Sequence, residues 1–121
     1  MVAAPVVPAS SRDAARRLLA PLLPVRARVS ALLVLGGARV TVARAVDVDD
    51  DVLGAVLTVR AGVPDRQHAG WLPHLTLARR LPREEVQRAV DALGWDDAVL
   101  SLVELRFWDP HSGTVTRLAP P

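Results

Sequence analysis

The chain has 121 residues, a length typical of one compact domain; 50% of the residues are hydrophobic and 23% are charged. This composition excludes a disordered chain, and the absence of cysteine excludes disulfide scaffolds, thiolate metal sites and cysteine nucleophiles. All 15 basic residues are arginine, and the net charge of +2 is too small to indicate nucleic-acid or membrane binding by itself.

Three stretches repeat the i, i+3, i+4, i+7 apolar spacing of an amphipathic helix. The predicted helices lie at residues 11–23, 52–59 and 82–93. The acidic run at residues 49–51 suits the positive N-terminal end of the second helix. Gly62 is predicted to end that helix in the left-handed conformation that glycine adopts readily.

Between these helices apolar residues recur with a period of two, which is typical of β-strands. The predicted strands lie at residues 25–35, 38–46, 73–79, 98–108 and 114–118. Gly36 and Gly37 separate the first two strands and predict a tight hairpin turn. The order of helix, hairpin, helix, strand, helix and hairpin predicts a single α+β domain over residues 1–121, with about three helices and a mostly antiparallel sheet.

The tetrapeptide His74-Leu75-Thr76-Leu77 carries the clearest chemistry. On a strand, His74 and Thr76 share one face, and we expect Leu75 and Leu77 to point into a core. An imidazole that exchanges protons beside a hydroxyl that donates to a phosphoryl oxygen is a plausible phosphate site. If the strand continues, Arg80 lies on that face and adds positive charge. A polar face with a solvated histidine is the alternative.

Other side chains give weaker indications of function. Trp71 precedes the motif strand and either stacks on a base or packs at the rim of the core. The pair Arg79-Arg80 either contacts RNA phosphates or forms a solvated face. His68 and His74 lack a third ligand at suitable spacing, so we predict no metal site and no cofactor.

The segment from Gly70 to Arg80, with its proline-histidine-x-threonine element, resembles the second catalytic motif of the two-histidine phosphoesterases. That superfamily includes the bacterial 2'-5' RNA ligases and the cyclic nucleotide phosphodiesterases. The likeness covers most of the chain and implies a LigT-like fold with metal-independent chemistry on RNA ends or cyclic nucleotide phosphates. It also implies that His74 is one of two acid–base residues and that Thr76 binds the phosphate. Arg80 and Trp71 are candidate substrate-binding residues from their positions beside this motif and are not part of the family pattern.

Members of this family carry two such motifs, and the sequence contains one. No histidine precedes His68, and neither the residues after His68 nor those after His111 fit the pattern. We therefore expect the first strand and the first catalytic histidine to lie upstream of Met1. Either the true protein is longer and active, or the chain is a non-catalytic remnant that binds RNA, a nucleotide phosphate or a partner protein. The chain alone is expected to be inactive.

The remaining expectations concern location and assembly. No apolar run approaches the roughly 20 residues that span a bilayer, and the first five residues do not resemble a signal peptide. A cytoplasmic protein without membrane attachment is the expectation. A sheet that lacks one strand exposes an unpaired edge, so we expect a homodimer or poor solubility.

Overall fold

The computed structural model describes residues 6–64, 68–94 and 96–121. Within them, the helices are α1 (Ala9–Leu19), α2 (Asp50–Ala61) and α3 (Val86–Leu93), with short 3-10 turns at Ala20–Leu22 and Arg83–Glu85. The strands are β1 (Val25–Gly36), β2 (Arg39–Asp47), β3 (His74–Pro82), β4 (Ala98–Leu102), β5 (Leu105–Asp109) and β6 (Thr114–Ala119). The predicted α+β class is confirmed. In these ranges no helix has the length and hydrophobicity needed to cross a membrane.

The strands form two sheets. One has four strands in the order β3-β2-β1-β4, and the other pairs β5 with β6. The pairs β1–β2, β2–β3 and β5–β6 are antiparallel, as predicted. The prediction of one continuous strand over residues 98–108 is wrong, because β4 and β5 belong to different sheets. Alternation of side chains specifies a strand but not the sheet that the strand joins, so the break left no signal in the pattern.

The described residues cluster into two compact units. The first contains α1, α2 and the β5–β6 hairpin, and α1 holds the other two elements together. Ser11 Oγ donates to the carbonyl oxygen of Gly62 at 3.3 Å, and Arg16 Nε donates to that of Leu118 at 3.0 Å. The guanidinium of Arg12 lies 5.2 Å from the ring centroid of Phe107, within the range of a cation–π contact.

Helix α2 begins and ends close to the predicted residues, but the residue after it does not adopt the predicted backbone conformation. Asp50 and Asp51 lie in the first turn, and Asp51 Oδ1 accepts a hydrogen bond from the Val52 amide at 2.8 Å. Gly62 has a φ of −85°, so the left-handed stop predicted there is wrong. The glycine with a positive φ at a helix end is Gly94, with a φ of 75°, directly after α3.

The second unit contains β1 beyond its first residue, β2, β3, α3 and the start of β4. The two faces of its sheet differ in composition. On β2 the core face is buried and consists of Val40, Val42, Arg44 and Val46. The alternating residues form the other side, which we call the polar face: Arg39, Thr41, Ala43, Ala45 and Asp47 of β2 with their partners in register on the neighbouring strands.

The guanidinium of Arg44 is buried on the core face, where its backbone partners satisfy it. Its Nε donates to the carbonyl oxygen of Ser30 at 2.8 Å, and its Nη1 donates to that of Asp96 at 3.1 Å. The carboxylate of Asp97 lies 3.8 Å from Nη2 and is almost fully exposed, so that ion pair is weak. Arg44 thereby ties β1 and the segment before β4 to the middle of the sheet.

Candidate functional site

His74 and Thr76 lie together on the polar face of the sheet. His74, the first residue of β3, pairs with Ala45 of β2, and Thr76 pairs with Ala43. Side chains of partners in an antiparallel pair project from the same side of the sheet, so both residues share the face of Ala43 and Ala45. His74 is exposed and Thr76 is half-buried. The strand position and the shared face follow the sequence-based prediction.

A backbone contact fixes the orientation of the His74 ring. Its Nδ1 lies 2.7 Å from the carbonyl oxygen of Leu72. A carbonyl oxygen only accepts hydrogen bonds, so Nδ1 carries the hydrogen of the neutral ring, and the lone pair is on Nε2. That nitrogen is the one able to take a proton from water or a hydroxyl, and the protonated form can then donate it to a leaving oxygen.

The leucines of the motif do not lie in a core. Leu75 is 42% exposed and Leu77 is 36% exposed, so the expectation that both point into the interior is wrong. The reason is the position of β3 at the edge of the sheet, where β2 flanks it on one side only. Alternation along the strand therefore separates two faces correctly, but it does not show which face is covered.

Arg80 was expected on the face of His74 because of uninterrupted alternation along β3, and that premise is wrong. The register with β2 shifts twice, once between Thr76 and Ala78 and once between Ala78 and Leu81. Each bulge adds a residue on β3 and breaks the period of two. Arg80 is exposed, has a left-handed φ of 54°, and its carbonyl oxygen accepts a hydrogen bond from Arg39 Nη1 at 3.1 Å.

Trp71 lies in the segment before β3, as the sequence requires, and it is half-buried. It belongs to the unit that contains α1 and α2, whereas His74 belongs to the unit that contains the four-stranded sheet. Base stacking and rim packing both remain predictions for this residue.

Sequence reasoning missed Arg28, whose side chain projects from the same face as His74. Arg28 pairs with Asp47, which alternates with Ala45, the partner of His74. Two strand spacings, about 10 Å, separate β1 from β3. Arg28 also lines a cavity of about 340 Å³ together with Asp47 and Asp97, so the charge there is mixed. Residues 25–29 alternate small apolar side chains with arginine. That sequence pattern predicts an exposed arginine side of β1 and could have identified Arg28.

The described part of the chain contains no group of three or more histidine, aspartate or glutamate side chains placed to hold a metal ion. Comparisons with models of protein families, with curated proteins and with solved structures give no match to this chain.

Proposed function

We propose that the protein is a 2'-5' RNA ligase or 2',3'-cyclic phosphodiesterase-like protein that acts on phosphoesters of RNA ends or nucleotides through histidine acid–base chemistry. One observation carries the proposal: an exposed His74 whose Nε2 is free for proton transfer shares a sheet face with Thr76. A threonine hydroxyl donates to a phosphoryl oxygen, and the guanidinium of Arg28 on the same face adds positive charge.

Displacement at phosphorus requires two proton transfers on opposite sides of the reacting centre. In the hydrolysis of a 2',3'-cyclic phosphate, the water oxygen bonds to phosphorus and one phosphorus–ribose oxygen bond breaks. One proton leaves the water, and one proton reaches the released ribose oxygen. The Nε2 atom of His74 is suited to one of these transfers, and Thr76 is suited to hold a non-bridging oxygen while the charge develops there.

A non-catalytic role in binding is the second candidate, and a specific observation favours it. The sequence contains a single histidine-x-threonine element; His68 is followed by alanine and glycine, and His111 by serine and glycine. One imidazole cannot remove a proton on one side of phosphorus and deliver another on the opposite side at the same time. We therefore expect the chain by itself to bind phosphoesters and to turn them over slowly.

Calorimetric titration with adenosine 2',3'-cyclic phosphate tests the proposal. We expect binding that weakens about tenfold in Thr76→Val, which removes a hydrogen bond to a charged phosphate, and in His74→Asn, which removes the Nε2 donor of the protonated ring. His68→Asn is the matched control, because His68 is also exposed and lies outside the site. Equal affinity of the wild type and both site variants contradicts the proposal. Slow hydrolysis that disappears in His74→Asn favours the enzyme, and binding without hydrolysis favours the non-catalytic role.

The proposed partners are an RNA end or cyclic nucleotide phosphate and a second copy of the chain. Support for a homodimer comes from β4, which lies at the edge of the four-stranded sheet. Its Val99 is 55% exposed and its Leu102 is 41% exposed, which is unusual for an edge strand that stays unpaired. RNA phosphoesters as substrates also fit the expected cytoplasmic location, which cell fractionation tests.

A further inference from the structure

Four arginines of β2, β3 and the segment after β3 lie towards the end of the sheet opposite His74. We call this cluster the basic end; it consists of Arg39, Arg79, Arg80 and Arg83. Arg39 pairs with Pro82, and its Nη1 donates to the carbonyl oxygen of Arg80 at 3.1 Å. The Nε and Nη2 atoms of Arg83 donate to the carbonyl oxygens of Gly37 and Gly36 at 3.0 and 3.2 Å.

The positive charge of the basic end has no partner among the described carboxylates. All four arginines are exposed, and the ion pairs found in the described ranges involve other arginines. Backbone carbonyls orient the Arg39 and Arg83 side chains without neutralising them. These four arginines are in no ion pair with a described carboxylate, although Glu84 and Glu85 directly follow Arg83, and their combined positive charge exceeds that of these two carboxylates and attracts a polyanion.

The basic end and His74 are connected by one face of the sheet. Arg39 lies on the polar face of β2, where it alternates with Thr41, Ala43 and Ala45, and Ala45 is the partner of His74. The six steps along β2 from Arg39 to Ala45 span about 20 Å at the rise of a β-strand. The β2 side chains along this path are small: Thr41 and Ala45 are half-buried, and Ala43, between its partners Leu33 and Thr76, is buried.

We propose that this face binds a single strand of RNA, with backbone phosphates on the basic end and the terminal phosphoester at His74 and Thr76. At about 3.4 Å per stacked nucleotide, a strand of about six nucleotides covers the distance between them. A mononucleotide reaches only one end of this path. The position of the terminal phosphoester rests on the proposed function, whereas binding of the strand to the basic end does not depend on it.

Phosphates are the ligand that the arginine geometry favours. A guanidinium presents parallel N–H donors that match two oxygens of one phosphate, and phosphates recur at regular intervals along a strand. The path is lined on β2 by threonine and alanine and has no large aromatic anchor there, which a protein partner would be expected to use.

Fluorescence anisotropy with an end-labelled octaribonucleotide that terminates in a 3'-hydroxyl tests the basic end alone. We expect Arg39→Gln/Arg80→Gln to bind about tenfold more weakly at about 0.1 M salt, with a log–log salt slope smaller by about 1.4, because two phosphate contacts are lost. Glutamine at position 39 keeps an N–H donor for the Arg80 carbonyl. The control Arg17→Gln/Arg117→Gln removes the same charge from α1 and β6 and is expected to bind within about twofold of the wild type.

Adenosine 2',3'-cyclic phosphate, titrated in parallel, separates this inference from the proposed function. Octamer binding that depends on Arg39 and Arg80 supports the basic end. If the cyclic nucleotide then binds equally well to the wild type and to His74→Asn, the proposed function alone fails. Octamer binding that is absent in the wild type, unchanged in the double variant, or equally weakened in the control overturns the inference even if the cyclic nucleotide binds at His74. Thermal unfolding of each variant verifies that the protein remains folded.

Discussion

The contact between His74 Nδ1 and the Leu72 carbonyl determines what this residue can do, and it illustrates the limit of sequence reasoning at the scale of one residue. The shared face of His74 and Thr76 follows from their spacing, since alternation is a property of any strand. The tautomer does not follow, because it depends on where the chain before β3 directs a carbonyl oxygen. The exposure of Leu75 could not be predicted for a related reason, because it depends on whether another strand flanks β3 on its outer side.

The ion pairs of the β5–β6 hairpin give a prediction about one carboxyl group. The pKa of Glu104 is lowered from its usual 4.5, chiefly by the hydrogen bond from Arg106 Nε at 2.7 Å. We expect Arg106→Ala to raise the pKa of Glu104 towards 4.5, as measured by a carbon-13 NMR titration of its carboxyl group. Arg117→Ala is the control with a smaller expected effect, since its guanidinium is 3.5 Å from Glu104 Oε1.

The sign of the accompanying pH dependence follows from the lowered pKa of Glu104. A carboxyl group whose pKa is lower in the folded than in the unfolded state stabilises the fold at pH values above the unfolded pKa. That contribution is lost as the pH falls through the folded pKa, so the wild type and Arg106→Ala should differ most above about pH 4.5 and converge only below the lowered pKa of the folded state. A pKa of Glu104 that stays the same in Arg106→Ala contradicts the assignment.

At the scale of elements, periodicity predicted the existence of helices and strands and missed the irregular positions between them. The two bulges of β3 interrupt the alternation from which the position of Arg80 was predicted, and the break after Leu102 divided a predicted strand between two sheets. Bulges and sheet changes depend on which strand is the partner, and pairing is not encoded in the alternation of a single segment.

Burial of Arg44 at the centre of the sheet predicts a large loss of stability when it is removed. We expect Arg44→Ala to lower the free energy of unfolding by about 3 kcal/mol, because it leaves the carbonyls of Ser30 and Asp96 without their donor and creates a cavity. Arg26→Ala on the exposed side of β1 is the control, with an expected change within about 0.5 kcal/mol. Urea unfolding measures both, and equal effects of the two substitutions count against a role of Arg44 in the core.

The turn between β1 and β2 gives a prediction with two adjacent glycines. Gly36 has a φ of 117°, and a Cβ atom there would lie 2.7 Å from the carbonyl oxygen of Arg39, whereas a Cβ at Gly37 meets nothing within 4 Å. We expect Gly36→Ala to cost about 2 kcal/mol of unfolding free energy and Gly37→Ala to cost less than about 0.5 kcal/mol. Thermal unfolding compares them, and a Gly37→Ala protein that is the less stable of the two refutes this account of the turn.

At the scale of the whole molecule, the sequence predicted the α+β class and left the composition of the site incomplete. His74, Arg28 and Arg39 lie on three neighbouring strands, and only the register of those strands brings them to one face. Residues 28, 39 and 74 are too far apart in the sequence for any local pattern to relate them. The strand-to-strand register was therefore the missing information, and of these three residues only His74 was recognised from the sequence as a candidate.

The exposed edge of β4 predicts self-association of the molecule. We expect a homodimer by light scattering coupled to size exclusion, because an unpaired strand with exposed valine and leucine side chains pairs readily with a second copy. Val99→Arg is expected to weaken the dimer at least about tenfold, while Val115→Arg, at an equally exposed valine of β6, leaves it intact. A wild-type protein that remains monomeric at every concentration rules out this interface.

The most direct test of the proposed phosphoester site is a long-range proton–nitrogen NMR spectrum of the three histidine rings during addition of adenosine 2',3'-cyclic phosphate. In the free protein we predict the neutral ring of His74 to carry its hydrogen on Nδ1, as the contact with Leu72 requires. Addition of the nucleotide should shift Nε2 of His74 and leave His68 and His111 unchanged. A hydrogen on Nε2 in the free protein, or signals of His74 that do not respond to the nucleotide, would contradict the assignment of this residue as the acid–base group.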